Sequence, residues 1–189
     1  MESALIVSGT EKSITYFTEI LSEAAIEHII TVKTCGEARR LLIERDFDIV
    51  IINAPLRDES GELLSRHIAV KGISEVILVA ASEYFDAVSA NCENDGVLTI
   101  SKPINRAVFW SALKLARAAQ NRFKRVQTEN SKLKQKIEDI RIIDRAKCIL
   151  ISYLNMNEQE AHRYIEKQAM DMRLTKRAVA EGILKTYEN

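Results

Sequence analysis

A long stretch without glycine or proline, residues 104–155, constrains the fold of this chain more than any other sequence feature. Glycine and proline are the residues that most often end a helix, so one helix starting near Asn105 is predicted to run through the stretch. Such a helix separates the segment before it from the segment after it. The chain is therefore expected to hold two folded domains joined by a long helix.

Six residues of this stretch follow alternating steps of three and four, which is the heptad pattern of a coiled coil. Phe123, Asn130 and Ile137 take a positions, Val126, Leu133 and Ile140 take d positions, and the frame extends backward to Ala112, Ala116 and Ala119. An Asn at an a position pairs with its counterpart in a parallel two-stranded coil, so Asn130 favours a homodimer of fixed register. Because fewer than four heptads are sustained, a helix packed back on the preceding domain is the alternative.

The first half of the chain alternates short apolar runs with helical patterns. The runs rich in Ile and Val are 4–7, 29–32, 49–52, 76–80 and 97–100, and the helical patterns between them are 12–25, 37–45, 62–70 and 83–92. Thr34 with Glu37 has the spacing of a capping box. Continuous apolar strands separated by helices predict an α/β domain with a doubly wound, five-stranded parallel sheet buried on both faces.

The last quarter of the chain has apolar residues at three- and four-residue steps in three successive segments, which predicts three amphipathic helices in a small bundle. The breaks between the segments have capping residues. Asn157 followed by Glu160 has the spacing of a capping box, and Thr175 is the natural N-cap of the last helix.

The formal net charge of zero conceals an uneven distribution. Residues 1–106 hold 10 Lys and Arg against 17 Asp and Glu, a net of −7, whereas residues 107–189 hold 17 against 10, a net of +7. Such segregation favours a polyanionic partner for the second half. The alternative is a pair of domains whose opposite charges attract each other.

The composition argues against several other classes of protein. No uninterrupted apolar run is long enough to cross a bilayer, and no basic segment of a signal peptide precedes the first strand. The three cysteines are scattered, so a reduced, cytoplasmic protein is expected. There is no cluster of metal ligands, no glycine-rich phosphate loop and no nucleophile elbow, so no metal, cofactor or enzymatic activity is expected.

The segment FDIVIINAPLRDESG resembles the third strand and following loop of the receiver domain of two-component response regulators. Gly61 falls eight residues after Asn53, as in that family, and Lys102-Pro103 matches its Lys-Pro after the fifth strand. The resemblance implies a flavodoxin-like receiver domain over residues 1–119.

The residues that carry receiver chemistry are absent. Asn53 stands at the phosphoacceptor aspartate, Ser8-Gly9 at the acidic pair that holds magnesium, and Ala80 at the hydroxyl residue after strand four. An amide cannot form the mixed anhydride, and magnesium needs carboxylate ligands, so a pseudo-receiver is predicted. Lys102 is expected to meet only the amide of Asn53.

Two further expectations concern this degenerate site. The amide of Asn53 is expected to be buried and satisfied by the loop backbone. Asp58 and Glu59, in the same loop, are expected to form a solvated turn and not a displaced metal site.

The end of the chain resembles the ANTAR domain, the RNA-binding module of bacterial antitermination regulators. Ala146-Lys147-Cys148 corresponds to the family's Ala-Lys-Gly, the acidic and Ala-Met-Asp motif corresponds to residues 158–171, and Val179-Ala180 matches the closing Val-Ala. The resemblance implies an ANTAR domain over residues 137–189, joined to the pseudo-receiver by a coiled-coil linker at 120–136.

The resemblance implies a dimeric antitermination regulator that binds a structured leader RNA and is controlled through a ligand-sensing partner protein. The residues implied to contact RNA are Arg145, Ala146, Lys147, Ala161, Tyr164, Arg173, Lys176 and Arg177. The small alanines would let the RNA come close, and Tyr164 is either a base-stacking residue or a core residue. A DNA-binding response regulator and a protein-interaction module without nucleic acid are the alternatives.

Overall fold

The computed structural model describes residues 1–187 and divides the chain into two compact units, Met1–Lys124 and Arg125–Asn189. The sequence predicts a finer division of the chain into residues 1–119, 120–136 and 137–189, and this division stays a prediction. The strands are β1 Ser3–Ser8, β2 His28–Val32, β3 Ile49–Asn53, β4 Glu75–Ala80 and β5 Leu98–Ser101. The α-helices are α1 Glu11–Glu23, α2 Cys35–Glu44, α3 Glu62–Lys71, α4 Phe85–Cys92, α5 Arg106–Leu154, α6 Glu158–Met172 and α7 Lys176–Tyr187.

The sheet has the order β2-β1-β3-β4-β5, and all neighbouring strands are parallel. This confirms the predicted doubly wound domain. The three central strands β1, β3 and β4 are buried on both faces because helices cover each face, whereas the edge strands β2 and β5 are partly exposed. One core lies between the sheet and α1 and α5, and the other between the sheet and α2 and α3.

The start of α2 differs slightly from the predicted capping box. The side chain of Thr34 accepts a hydrogen bond from the backbone N–H of Glu37. The carboxylate of Glu37, however, accepts from the N–H of Lys33 instead of returning to Thr34. Both side chains therefore stabilise the start of the helix. The bond from Glu37 reaches the N–H of the residue before Thr34 and not that of Thr34 itself.

The loop after β3 depends on a glycine. Gly61 precedes α3 with φ of 84°, in the left-handed region that L side chains rarely adopt. A Cβ at this position would lie 2.8 Å from Cγ2 of Ile52. Only glycine therefore fits between β3 and α3 without strain or displacement of the strand's side chain.

Helix α5 begins where the sequence predicts, since the Asn105 side chain accepts hydrogen bonds from the N–H groups of Ala107 and Val108. Its first part belongs to the first unit, where Phe109, Leu113, Ala116 and Gln120 are buried. Because Ala116 lies fully in this core, the heptad frame cannot serve as a free seam that far back. Any coiled-coil seam on α5 therefore starts after Gln120.

The second unit is formed by the end of α5 with α6 and α7, and confirms the predicted three-helix bundle. Its core includes Leu150, Ile165 and Val179, one from each helix. Asn157 and Glu160 form a complete capping box at α6, and Thr175 accepts from the N–H of Ala178 at α7. Between residues 1 and 187, no helix combines the length and apolar character needed to cross a membrane.

Candidate functional site

The predicted degenerate receiver site lies at the carboxyl ends of β1, β3 and β4, where Ser8, Asn53 and Ala80 end their strands. All three residues are buried. Ser8 and Asn53 are register partners in the sheet, and Nδ2 of Asn53 donates a hydrogen bond of 3.1 Å to Oγ of Ser8. Oδ1 of Asn53 is buried and accepts no hydrogen bond from residues 1–187. The expectation that the loop backbone satisfies this amide is therefore wrong.

Lys102 also differs from expectation. Its Nζ donates a hydrogen bond of 2.6 Å to the backbone carbonyl oxygen of Ala54, not to the amide of Asn53. Burial lowers the pKa of Lys102, because the ammonium group is partly removed from water. The lysine expected to contact only a neutral amide is thus held by a neutral carbonyl instead.

Asp58 and Glu59 do not form a simple solvated turn. The Asp58 carboxylate accepts from the N–H groups of Cys35 and Gly36, at 3.1 and 3.0 Å, and so stabilises the start of α2. Glu59 makes a two-pronged ion pair with Arg39. Both carboxylates are therefore occupied by partners on α2.

Cys35, Asp58 and Glu59 lie close enough together to suggest a metal-ligand set. Burial, followed by the nearby Asp58 and Glu59 charges, raises the pKa of the Cys35 thiol to about 11. The thiol is consequently protonated at neutral pH, whereas a metal ligand is a thiolate. The set is accounted for by capping of α2 and the Glu59–Arg39 pair.

In the second unit, three of the predicted RNA-contacting cations join the helices to each other. Lys147 of α5 pairs with Asp144 at 2.8 Å and with Glu158 of α6 at 2.9 Å. Lys176 of α7 pairs with Glu166 of α6. These pairs give the cations a structural role in addition to any contact with a ligand.

Arg177 has the same kind of position. Its guanidinium pairs with Asp139 of α5 at 2.7 Å and with Glu181 of its own helix at 2.8 Å. The hydrogen bond from Arg177 and the one from Gln135 hold the pKa of Asp139 below its ordinary value. Arg177 thus connects α7 to α5.

Ala146 and Ala161 both lie in the core of the bundle and have no exposed surface. RNA cannot reach either side chain in this arrangement, so no RNA contact is proposed for them. Arg145, Tyr164 and Arg173 are exposed. Tyr164 is 37% exposed and lies outside the bundle's buried cluster. This favours the interpretation of Tyr164 as a surface residue over that as a core residue.

Two exposed cations were not among the residues predicted from the sequence to contact RNA. Arg163 and Lys167 are exposed on α6, four residues apart, on the side opposite Ala161 and Ile165. Neither makes an ion pair with another residue in the described part of the chain. Their helical spacing on the polar face of α6 was the available signal.

The predicted seam residues form an apolar line on the surface of α5. Phe123, Val126, Leu133, Ile137 and Ile140 are between 43% and 58% exposed. Phe123 belongs to the first unit, where a Cβ built at Gly72 would lie 3.7 Å from its ring. Packing within the first unit therefore covers part of Phe123, whereas the other four side chains are about half exposed.

Comparison with known proteins finds a match for each of the two units. Residues 131–184 match the ANTAR domain family. The first unit has the fold of a signal receiver domain of an HD domain-containing protein from Pseudomonas fluorescens Pf-5, with a TM-score of 0.57, 23% identity and coverage of 65% of this chain and 91% of that one. A receiver domain of a putative Luxo repressor protein from Vibrio parahaemolyticus gives a TM-score of 0.58, 20% identity and coverage of 66% and 96%. The chain thus holds a receiver-like fold followed by an ANTAR domain at residues 131–184.

Among whole proteins, the chain is similar to the transcriptional regulatory protein PdtaR of Mycobacterium tuberculosis (strain CDC 1551 / Oshkosh). The two are 26% identical over 168 residues, which cover 89% of this chain and 82% of that protein. The similarity therefore extends through both units and not only through the ANTAR domain.

Proposed function

We propose that this protein is an RNA-binding transcription antitermination regulator whose pseudo-receiver works without phosphorylation. The observation that carries the proposal is an ANTAR domain with exposed cations around α6. The target would be a structured leader transcript, in which binding stabilises small hairpins at the expense of a terminator. RNA of this kind offers unstacked loop bases and phosphates, which suit an exposed tyrosine and nearby arginines.

The proposed RNA face is centred on α6 and the turn that follows it. Arg163, Tyr164 and Lys167 lie on α6, and Arg173 occupies the left-handed position at its end. Arg145 on α5 adds a further exposed cation. This face replaces the originally predicted set because Ala146 and Ala161 are buried and Lys147, Lys176 and Arg177 join helices.

The charge of the units supports a polyanionic partner less strongly than the sequence halves do. Met1–Lys124 has 14 basic against 17 acidic residues, a net of −3, and Arg125–Asn189 has 13 against 10, a net of +3. The difference arises because four cations of early α5 belong to the first unit, where Lys124 pairs with Asp48 and Arg117 donates to the carbonyl of Ala24. Recognition of RNA would therefore depend on local exposed cations more than on net charge.

We propose that two copies pair in parallel through Val126, Asn130, Leu133, Ile137 and Ile140. These residues keep heptad spacing on an exposed stretch of α5, and a second copy is the partner that shares this spacing. Such a dimer would present two ANTAR domains, which suits an RNA with paired hairpins.

Control is proposed to come from a ligand-sensing protein that binds the pseudo-receiver and holds the ANTAR domains away from RNA. A partner can do this only if it has different affinities for RNA-competent and RNA-incompetent arrangements. Without that partner, the purified protein should bind RNA constitutively.

The deciding experiment measures binding of the full chain to fluorescent hairpin-bearing leader RNA and to duplex DNA at several salt concentrations. We expect RNA binding whose affinity falls with salt through counterion release, and much weaker binding to duplex DNA. Preference for duplex DNA would support a DNA-binding regulator. No binding to either nucleic acid would support the protein-interaction alternative.

A further inference from the structure

The degenerate receiver site opens into a cavity of about 750 Å³ within the first unit. Three cations, Lys12, Arg57 and Lys102, line it, and no Asp or Glu does so among residues 1–187. Apolar and aromatic side chains complete the wall: Tyr16, Pro55, Leu56, Pro103 and Ile104. Three positive charges thus face a cavity whose own wall carries no carboxylate.

The acidic residues nearest in sequence are engaged elsewhere. Glu11 pairs with Lys33 at 2.6 Å. Glu59 pairs with Arg39, and Asp58 accepts from the backbone at the start of α2. The cations of the cavity are therefore not balanced by these carboxylates.

Two buried polar atoms at the cavity make no hydrogen bond with the described residues: Oδ1 of Asn53 and the hydroxyl of Tyr16. Asn53 is only 6% exposed, so its amide belongs to a built site and not to the open surface. The amide has two orientations of nearly equal shape. In the reversed one, the Ser8 hydroxyl donates to Oδ1 and the NH₂ group takes the place of the unpaired acceptor in the wall of the cavity.

The start of α1 adds donors of a second kind. Thr10 is its N-cap but accepts no hydrogen bond from the first turn through its side chain, and Gly9 and Thr10 both line the cavity. Backbone N–H groups at a helix N-terminus favour anions, and phosphate groups most of all. The helix start and the buried amide are independent features that converge on the same cavity.

We propose that this cavity binds a small organic phosphate monoester, reversibly and without a metal ion. The phosphate dianion would lie between Lys102, Lys12 and Arg57 near the start of α1, and the organic part would lie against the apolar wall. The volume is within the range of small-molecule sites, so it has room for more than inorganic phosphate. No covalent bond forms, because Asn53 offers no nucleophile.

The loss of receiver carboxylates is what makes this binding favourable. Acidic residues at positions 8, 9 and 53 would repel a dianion unless a magnesium ion lay between them. With Ser8, Gly9 and Asn53 in their place, the cations face the ligand directly. Burial lowers the pKa of Lys102, and a bound dianion would oppose that effect by stabilising the ammonium group.

The test is isothermal titration calorimetry of the full chain with phenyl phosphate, inorganic phosphate and benzoate, all in the presence of EDTA. We expect one phenyl phosphate per chain, bound more tightly than either other probe. Lys12→Ala and Arg57→Ala should each weaken binding by about tenfold, the loss expected for one charge-assisted hydrogen bond. Asn53→Asp should weaken it at least as much at neutral pH, because it places a carboxylate in the cavity.

The control is Lys114→Ala, which removes an exposed cation of α5 outside the cavity. Lys12 and Arg57 are exposed, so their variants should fold normally, and circular dichroism checks this. The proposal is overturned if phenyl phosphate does not saturate one site, if binding requires magnesium, or if Lys114→Ala weakens binding as much as the cavity variants. Tighter binding of benzoate would overturn the phosphate assignment, and equal binding of inorganic phosphate would overturn the role of the apolar wall.

Discussion

The amide nitrogen of Asn53 lies 3.1 Å from the hydroxyl oxygen of Ser8, and the bond between them joins the ends of β3 and β1. Both groups are neutral. They occupy the positions at which the resembled receiver family carries its phosphoacceptor and a magnesium-binding carboxylate. Ala80 at the end of β4 supplies no hydroxyl either. The proposed pseudo-receiver therefore rests on residues at three strand ends and not at one.

Acetyl phosphate with magnesium should leave the mass of the protein unchanged, because the Asn53 amide cannot form an acyl phosphate. Intact-mass spectrometry measures this directly. Asn53→Asp alone should also fail to form a stable aspartyl phosphate, since Ser8 and Gly9 still provide no carboxylate for magnesium. A phosphorylated species in the unmodified protein would contradict the pseudo-receiver assignment.

Replacing Leu133 and Ile137 together with Lys should dissociate the proposed dimer, because like charges would then face each other where apolar surface must be buried. Sedimentation velocity measures the change. A matched control is the double replacement of Ser131 and Gln135 with Lys, which adds the same charge at exposed positions outside the seam. A monomeric unmodified protein at tens of micromolar would show that the seam does not pair.

Arg163→Ala and Arg173→Ala should each weaken leader-RNA binding and reduce the slope of log affinity against log salt by about 0.7 to 0.9, if each contacts one phosphate. Fluorescence anisotropy at several salt concentrations gives both quantities. Lys114→Ala serves as the control, since it removes an exposed cation from the first unit. Unchanged slopes for both arginine variants would place the RNA face elsewhere.

Lys147→Ala should behave differently from those two variants. It should weaken RNA binding only if Lys147 also contacts RNA, but it removes ion pairs with Asp144 and Glu158 in either case. Because both acidic partners are mostly exposed, the stability of the bundle should fall by no more than about 1 kcal/mol. Thermal unfolding measured beside RNA binding separates the two roles.

Acid should destabilise the first unit through Asp48. Burial alone would raise the pKa of Asp48, but hydrogen bonds from the N–H groups of Glu2 and Ser3 and from Lys124 outweigh it and hold the pKa well below its ordinary value. A carboxyl group with a lowered folded-state pKa stabilises the fold above its unfolded pKa of about 3.9 and loses that contribution as pH falls toward the folded value. Stability should therefore decline progressively below about pH 4.

Asp48→Asn tests this linkage. The variant should be less stable than the unmodified protein by about 1 to 3 kcal/mol near pH 6, because it loses charge-assisted hydrogen bonds. The difference should shrink as the pH falls below about 4. Denaturant unfolding followed by the fluorescence of Trp110, which packs against the first unit's core, measures it. A difference independent of pH down to about 2 would assign the effect to packing and not to the carboxylate charge.

The regular parts of the fold were predictable because their signals are local. Apolar runs and helical spacing located the five strands and most helices of the first unit, and Asn105, Asn157 and Thr175 marked helix starts through their own side chains. The α4 region shows the limit of such signals. A helix predicted from residue 83 instead starts at Phe85, after a short 3₁₀ turn.

The details of the sites were less predictable because they depend on distant partners. The carboxylate of Asp58 reaches α2, and the ammonium group of Lys102 reaches the carbonyl of Ala54, 48 positions away. Ala146 and Ala161 look suited to close approach by a ligand, yet small residues also allow two helices to pack closely. Heptad spacing likewise could not reveal that Ala116 is buried against the sheet.

Gly61 shows that the backbone geometry of the receiver motif and its phosphoryl-transfer chemistry can be separated. The glycine is required by its left-handed backbone and by the closeness of Ile52, and neither requirement involves phosphate, magnesium or an acidic side chain. A chain without phosphoryl transfer at the end of β3 can therefore still require glycine here, because the loop must connect β3 to α3. A glycine at this position therefore shows only that the loop makes the same turn as in a phosphorylated receiver. It does not show that a phosphoryl group is transferred there.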